Sequence, residues 1–229
     1  MNALPEGLLV AWYGDDFTGA AAVMEVLAFS GVSAMLFLKV PTAAQLGRYP
    51  DLRAIGVAST ARAWSPAGMD AKLPSDFAAL LALEPEILHY KICTTLDSSP
   101  TTGSVGRAIE IGADLTKPEA VPLLVAAPQM RRYQVFGHLF AGLGDQVYRL
   151  DRHPVMSRHP VTPMAEADVA RHVSAQSGRL KTTLWSQEEI TADLPPSLPG
   201  SPPGGSRHGG HQPPCRQNRE KSDFCCQYH

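Results

Sequence analysis

Short apolar runs that alternate with longer helical patches make this chain an α/β protein, expected to fold as a mainly parallel sheet sandwiched by helices. The alternation holds up to about Pro128, where β-branched-rich runs and helical patches take turns. The runs are apolar on both faces, as strands covered by helices must be. The patches repeat apolar residues at three- and four-residue spacing, the period of a helix with one buried face. Sheets of this kind bind ligands at the carboxyl ends of their strands.

The elements follow in order. Leu8 to Trp12, "LLVAW", predicts the first strand, and Gly19 to Phe29 the helix after it. Ala34 to Val40, Ala54 to Ala58, Ile87 to Cys93 and Val121 to Ala126 predict the remaining strands. Ser75 to Leu83 and Ser104 to Ile111 predict two further helices. From Gln129 to about Val161 the chain is rich in Arg, His and Gly with weak periodicity, which predicts a loop and hairpin-rich appendage. Thr162 before Pro163 is a cap and helix opener, so Met164 to Gln176 predicts one more helix. A further strand is expected from Thr182 to Trp185.

The organisation expected is a substrate-binding domain over residues 1–185 and a Pro/Gly-rich disordered C-terminal tail over residues 195–229. Those last 35 residues hold seven prolines and five glycines, with Leu198 and Phe224 as their only large aliphatic or Phe side chains. Too little apolar surface is present there to offset the entropy of folding. The mixture of Pro, Gly, Arg and Cys also reads as out-of-frame translation.

Composition narrows the function. Twenty Lys and Arg against 22 Asp and Glu give a formal charge of -2 over 229 residues, so no global field draws nucleic acid or an anionic membrane. The uncharged stretch Val26 to Leu38 is shorter than the roughly 20 apolar residues of a membrane span. The amino terminus lacks a basic segment before its apolar run, so a secretory signal is not expected. Cys93 is the one cysteine of the folded part, which fits a reducing cytoplasm.

Four stretches carry candidate chemistry. In "YGDDFTGA" the adjacent Asp15 and Asp16 point apart if the backbone stays extended, so one faces the site. Two roles stand open for that carboxylate: capping the next helix, or accepting hydrogen bonds from substrate hydroxyls as a binder or general base. "YKICTTLDSSPTTGSVGRA" is a strand, a hydroxyl-rich loop and a helix, whose amino terminus either suits an anion beside Lys91 or has its Ser and Gly only as caps and turn residues. No Gly-Lys-Ser/Thr follows its glycines, so it is not a Walker loop. "STARAWSP" puts Arg62 just past a strand end, where a guanidinium can grip a carboxylate through two parallel bonds. His138, His153 and His159 lack the cysteine or carboxylate companions of a metal site and read as basic loops.

Taken together, "GDDFTGA", "YKICTTLDSSPTTGSVGRA", "VAAPQMRRYQVFGHLFA" and "RHPVMSRHPVTPMAEAD" resemble the amino-terminal half of the four-carbon acid sugar kinase family. The resemblance covers about Leu8 to Gln176. It implies a sugar-acid-binding α/β domain, with ATP and Mg²⁺ bound by a second domain for which no pattern is traced past about Gly178. The acids implied are threonate, erythronate, 3-oxo-tetronate or 3-oxo-isoapionate. The family's substrate contacts fall on Asp16, on Arg62, and on Lys91, Ile92, Cys93 and Thr94. Arg62 and Lys91 would meet the acid's carboxylate, and Asp16 and Thr94 its hydroxyls. The chain is thus expected to be the substrate-binding half of an ATP-dependent kinase, inactive alone, with its nucleotide-binding partner domain separate or lost. The alternative is a non-enzymatic sugar-acid-binding module, or an inert remnant.

Overall fold

The computed structural model describes residues 4–186 and, for the main chain only, 223–227. The chain begins with β1 (Val10–Gly14), α1 (Phe17–Phe29), β2 (Ala34–Phe37), the single turn α2 (Ala43–Leu46) and β3 (Ala54–Ala58). It continues through α3 (Pro66–Leu81), β4 (Ile87–Lys91), α4 (Val105–Thr116) and the short β5 (Leu123–Leu124). β6 (Arg132–Val135), β7 (His138–Leu143) and β8 (Gln146–Arg149) come next, then α5 (Val169–Ser174) and β9 (Asp223–Gln227).

The main sheet has the order β2-β3-β1-β4-β9-β5, and every pairing in it is parallel. β1 lies in register with both neighbours, Gly14 opposite Ala58 on one side and Lys91 on the other. The carboxyl ends of β1, β3 and β4 are therefore level. Alternation along β1 divides the core. Trp12 packs with Val23, Met24 and Leu27 of α1, while Ala11 and Tyr13 face Met69, Leu73 and Phe77 of α3. On that face the Tyr13 and Tyr90 rings stack at 6.3 Å, and Phe77 meets both edge-on. β6, β7 and β8 form a separate antiparallel sheet within the appendage expected between Gln129 and Val161.

Several boundaries differ from the expected ones. β1 runs two residues later than Leu8 to Trp12, because it pairs through Gly14. α3 starts at Pro66 with Ser65 as its cap and carries Pro74 inside, so it opens well before Ser75. Ser65 before Pro66 supplies the same cap-and-opener chemistry that Thr162 and Pro163 suggested elsewhere. There no helix follows: Met164 to Ala167 are not helical, and α5 opens only after Asp168, whose carboxylate accepts from the Arg171 N–H at 3.0 Å. Met164 N–H is instead bonded to Met156 O.

Thr182 to Trp185 form no strand, although Thr182 Oγ1 lies 3.1 Å from Ser174 Oγ. The place beside β4 is taken by β9, which pairs Leu88 with Phe224 and Leu123 with Cys226. Five residues of the tail expected to be disordered are thus sheet, because β4 and β5 leave a strand-wide gap between them. The rest of that tail lies outside the described residues.

Candidate binding site

β1 ends at Gly14 because the chain must turn there against the helix it feeds. A Cβ on Gly14 would sit 2.5 Å from Ala20 Cβ, so glycine permits the close approach of α1. Beyond Gly14 the chain bends at Asp15 and Asp16, although Asp16 is itself extended, and the two side chains no longer point apart. Both carboxylates reach Arg62, which stands in the helical turn Ala61–Ala63 just after β3. This corrects the expectation from extended geometry. Arg62 donates from Nε and Nη2 to the two oxygens of Asp15, at 3.2 and 2.7 Å, and from Nη1 to Asp16 Oδ2 at 2.8 Å. Three of its five N–H donors are used in these contacts.

Asp16 has two duties. Its Oδ1 accepts from the Gly19 N–H at 2.8 Å and caps α1, while Oδ2 holds Arg62. The main chain locks the same corner, with Arg62 N–H bonded to Asp15 O and Asp15 N–H to Lys91 O. Ser59 donates to Gly14 O and accepts from the Ala61 N–H, which ties the turn after β3 to the end of β1.

Lys91 closes β4 and is 2% exposed, with its ammonium beneath the first turn of α1, beside Gly19. It donates to Ile92 O. Burial disfavours its charge and lowers its pKa to about 8, against the raising pull of Asp15, Cys93 and Asp16. Burial likewise raises Asp15 to about 6, although the Arg62 guanidinium pulls the other way. Two carboxylates and two cations therefore share one corner whose net formal charge is near zero. A groove of about 450 Å³ opens from Lys91 along Ala22, Val26 and Phe29 of α1 toward Gln129 and Met130.

The loop after β4 completes the wall. Cys93 is close enough to Arg62 and Lys91 for their charges to act on it, and burial raises its pKa. Its sulfur lies 3.0 Å from Thr95 Oγ1, which donates to Asp97 Oδ1 at 2.9 Å. Gly103, at φ +60°, lets the loop return against the Arg62 carbonyl and donates to Trp64 O. Of the residues expected from the sequence, the structure brings Asp16, Arg62, Lys91 and Cys93 together. Thr94 is buried on the same loop. Ile92 departs from them: its side chain is in the apolar core, so only its main chain is available to the corner. Asp15 as the two-pronged partner of Arg62, and Thr95 as the bridge to Asp97, were not singled out. The hydroxyl-rich "CTTLDSS" was the signal for the second.

At the amino terminus of α4, which the sequence offered either to an anion or to capping, two N–H groups are taken by the protein itself. Its Arg107 N–H is capped by Ser104 Oγ at 3.0 Å, and its Gly106 N–H is bonded to Gln176 Oε1 at 3.2 Å. The histidines of the appendage serve its loops: His153 Nδ1 accepts from the N–H of Val155 and Met156, and His159 Nδ1 from that of Thr162. Among the described residues, no group of three or more His, Cys, Asp or Glu is placed to hold a metal, and no helix is long and apolar enough to cross a membrane.

A family profile described as a sugar-binding N-terminal domain matches residues 10–196. A Paraburkholderia graminis protein named 3-oxo-isoapionate kinase is 50% identical over 178 residues, which are 78% of this chain and 38% of that protein. A Pseudomonas savastanoi pv. phaseolicola protein named 3-oxo-tetronate kinase is 29% identical over 189 residues, 82% of this chain and 42% of that one. The crystal structure of a Haemophilus influenzae protein superposes with a TM-score of 0.63 at 25% identity, over 73% of this chain and 38% of that one. The chain thus spans about 40% of the length of these curated relatives.

Proposed function

This chain belongs to the sugar-binding N-terminal domain family, and from that membership we propose that it is the acid-binding half of an ATP-dependent kinase of short sugar acids. The observation that carries the reading is the corner where Asp15, Asp16, Arg62 and Lys91 meet at the level ends of three parallel strands. An acidic polyol needs cations for its carboxylate and acceptors for its hydroxyls, held in a fixed relation. Arg62 is preorganised by its aspartates and turns its two further N–H donors to the carboxylate, with Lys91 adding charge. Asp16 and the Thr94 hydroxyl accept from the sugar hydroxyls. The relative at 50% identity is named for 3-oxo-isoapionate, which makes that acid the first ligand to test.

The helix start that the sequence offered to an anion is not open to a phosphate. Phosphate binding wants exposed N–H groups at a helix start or a Walker lysine, and the start of α4 is occupied by Ser104 and Gln176. Phosphoryl transfer depends on placing nucleotide, metal and acceptor together. This chain alone therefore binds acid and does not phosphorylate it. Calorimetric titration of the purified chain tests this, with 3-oxo-isoapionate, 3-oxo-tetronate, threonate, erythronate and Mg-ATP in separate runs. Saturable binding of at least one acid, with none of Mg-ATP, is the expected result. Saturable Mg-ATP binding, or heat from no acid, would overturn it.

A further inference from the structure

We infer that Ser98, held by His172 and Gln176 of the α5 region, is a positioning hub that fixes the turn after β4 for acid recognition; the inference rests on the acid-binding reading above. Leu96 is the reason a hub is needed. It is 1% exposed and adopts φ +54°, a left-handed conformation that side chains with a Cβ avoid. A buried residue stays there only where its surroundings over-determine it.

The determinants are visible. Leu96 N–H bonds Cys93 O at 2.9 Å, and Leu96 O accepts from Ser98 Oγ at 2.9 Å. Ser98 is 2% exposed and receives Gln176 Nε2 at 2.8 Å and His172 Nε2 at 3.0 Å. A hydroxyl has one proton; with Ser98 giving it to Leu96 O, the two contacts from the α5 region arrive as donors. The hub thus assigns the proton of His172 to Nε2. Burial lowers its pKa, against the raising pull of the Ser98 and Leu96 main chain and of Glu166. Gln176 spends its other atom, Oε1, on Gly106 N–H, so its amide orientation is set as well.

The turn held from behind by this hub carries Cys93, on which Arg62 and Lys91 act, and beside it the buried Thr94 and Thr95. His172 and Gln176 touch no candidate ligand position themselves. They are positioning residues, and their effect should appear as acid affinity.

The test pairs two variants with one measurement on the unchanged chain. His172→Leu removes the donor, whereas His172→Gln places an amide nitrogen near the position of Nε2. Expected is a loss of about tenfold in acid affinity for His172→Leu, as for loss of a buried hydrogen bond, with His172→Gln close to the parent and both folded by circular dichroism. Parental affinity in a folded His172→Leu, or equal losses in both variants, would overturn the hub. Should the parent chain bind no acid, the acid-binding reading fails by itself. The hub is then decided by ¹⁵N NMR of histidine-labelled protein, where an Nε2–H tautomer for His172 at pH 7 upholds it and an Nδ1–H tautomer refutes it.

Discussion

Asp15 and Asp16 are chemically identical and do different work because their burial differs. Asp15 is 2% exposed and has Arg62 as its two-pronged partner, so its charge depends on that guanidinium. Removing one member of a buried pair strands the other, which typically costs about 3–5 kcal/mol. Arg62→Ala should accordingly lower unfolding stability by roughly 3 kcal/mol in urea titrations, because it leaves Asp15 unpaired. Asp16 is more open, and its cap can be kept while its charge is removed, since Asn caps a helix about as well as Asp. Asp16→Asn keeps the cap and gives up the partly exposed ion pair with Arg62, so it should lose no more than about 1 kcal/mol of unfolding stability, yet bind acid about tenfold more weakly for loss of a charge-assisted acceptor. Lys91 adds a pH signature. A bound carboxylate favours the protonated amine and raises its pKa above the free value of about 8. The free protein is already protonated below that value, so affinity is full at pH 7 and falls as the pH rises past 8. Acid titrations from pH 6.5 to 9.5 should show this decline in the parent and none in Lys91→Met.

At the scale of the element, the corner exists because β1 and α1 approach so closely. Gly14→Ala would drive a methyl group into Ala20 and the Asp16 carbonyl, and overpacking of this kind costs about 1–3 kcal/mol. Because the displaced helix start carries Asp16, this variant should lose acid affinity as Asp16→Asn does, and more thermal stability. Much of this arrangement was legible in the sequence. Apolar strands, capped helices and the segments bearing Asp16, Arg62 and Lys91 all follow from periodicity, turn chemistry and the family resemblance. What was not legible has physical causes. Strand alternation separated Asp15 from Asp16, but the chain has already left the strand at that point. Pro74 obscured the first half of α3, because a proline is tolerated within a helix when the packing of Met69, Leu73 and Phe77 outweighs one lost hydrogen bond. Capping of α4 by a local serine was legible, but its second partner, Gln176, is distant in the chain.

At the scale of the molecule, the sheet is held together across a gap that a remote segment fills. Among the described residues β4 would be an edge strand on one side but for β9, and β9 joins it to β5. An exposed edge leaves N–H and C=O groups unpaired and invites association with other chains. β4 also ends in Lys91, so whatever secures its outer edge secures one wall of the candidate site. The sequence gives the opposite expectation for this segment, because Pro and Gly dominate the residues before it. Removal of residues 223–229 distinguishes the two. If β9 is part of the sheet, deletion should speed hydrogen exchange at the outward-facing amides of Ile87 to His89, lower the melting temperature, and increase self-association seen in sedimentation. The amides of β1 and β3, two strands further in, should keep their protection. Unchanged exchange in β4 would mean that the segment contributes nothing to the sheet, and that the sugar-acid corner stands on β1, β3 and β4 without it.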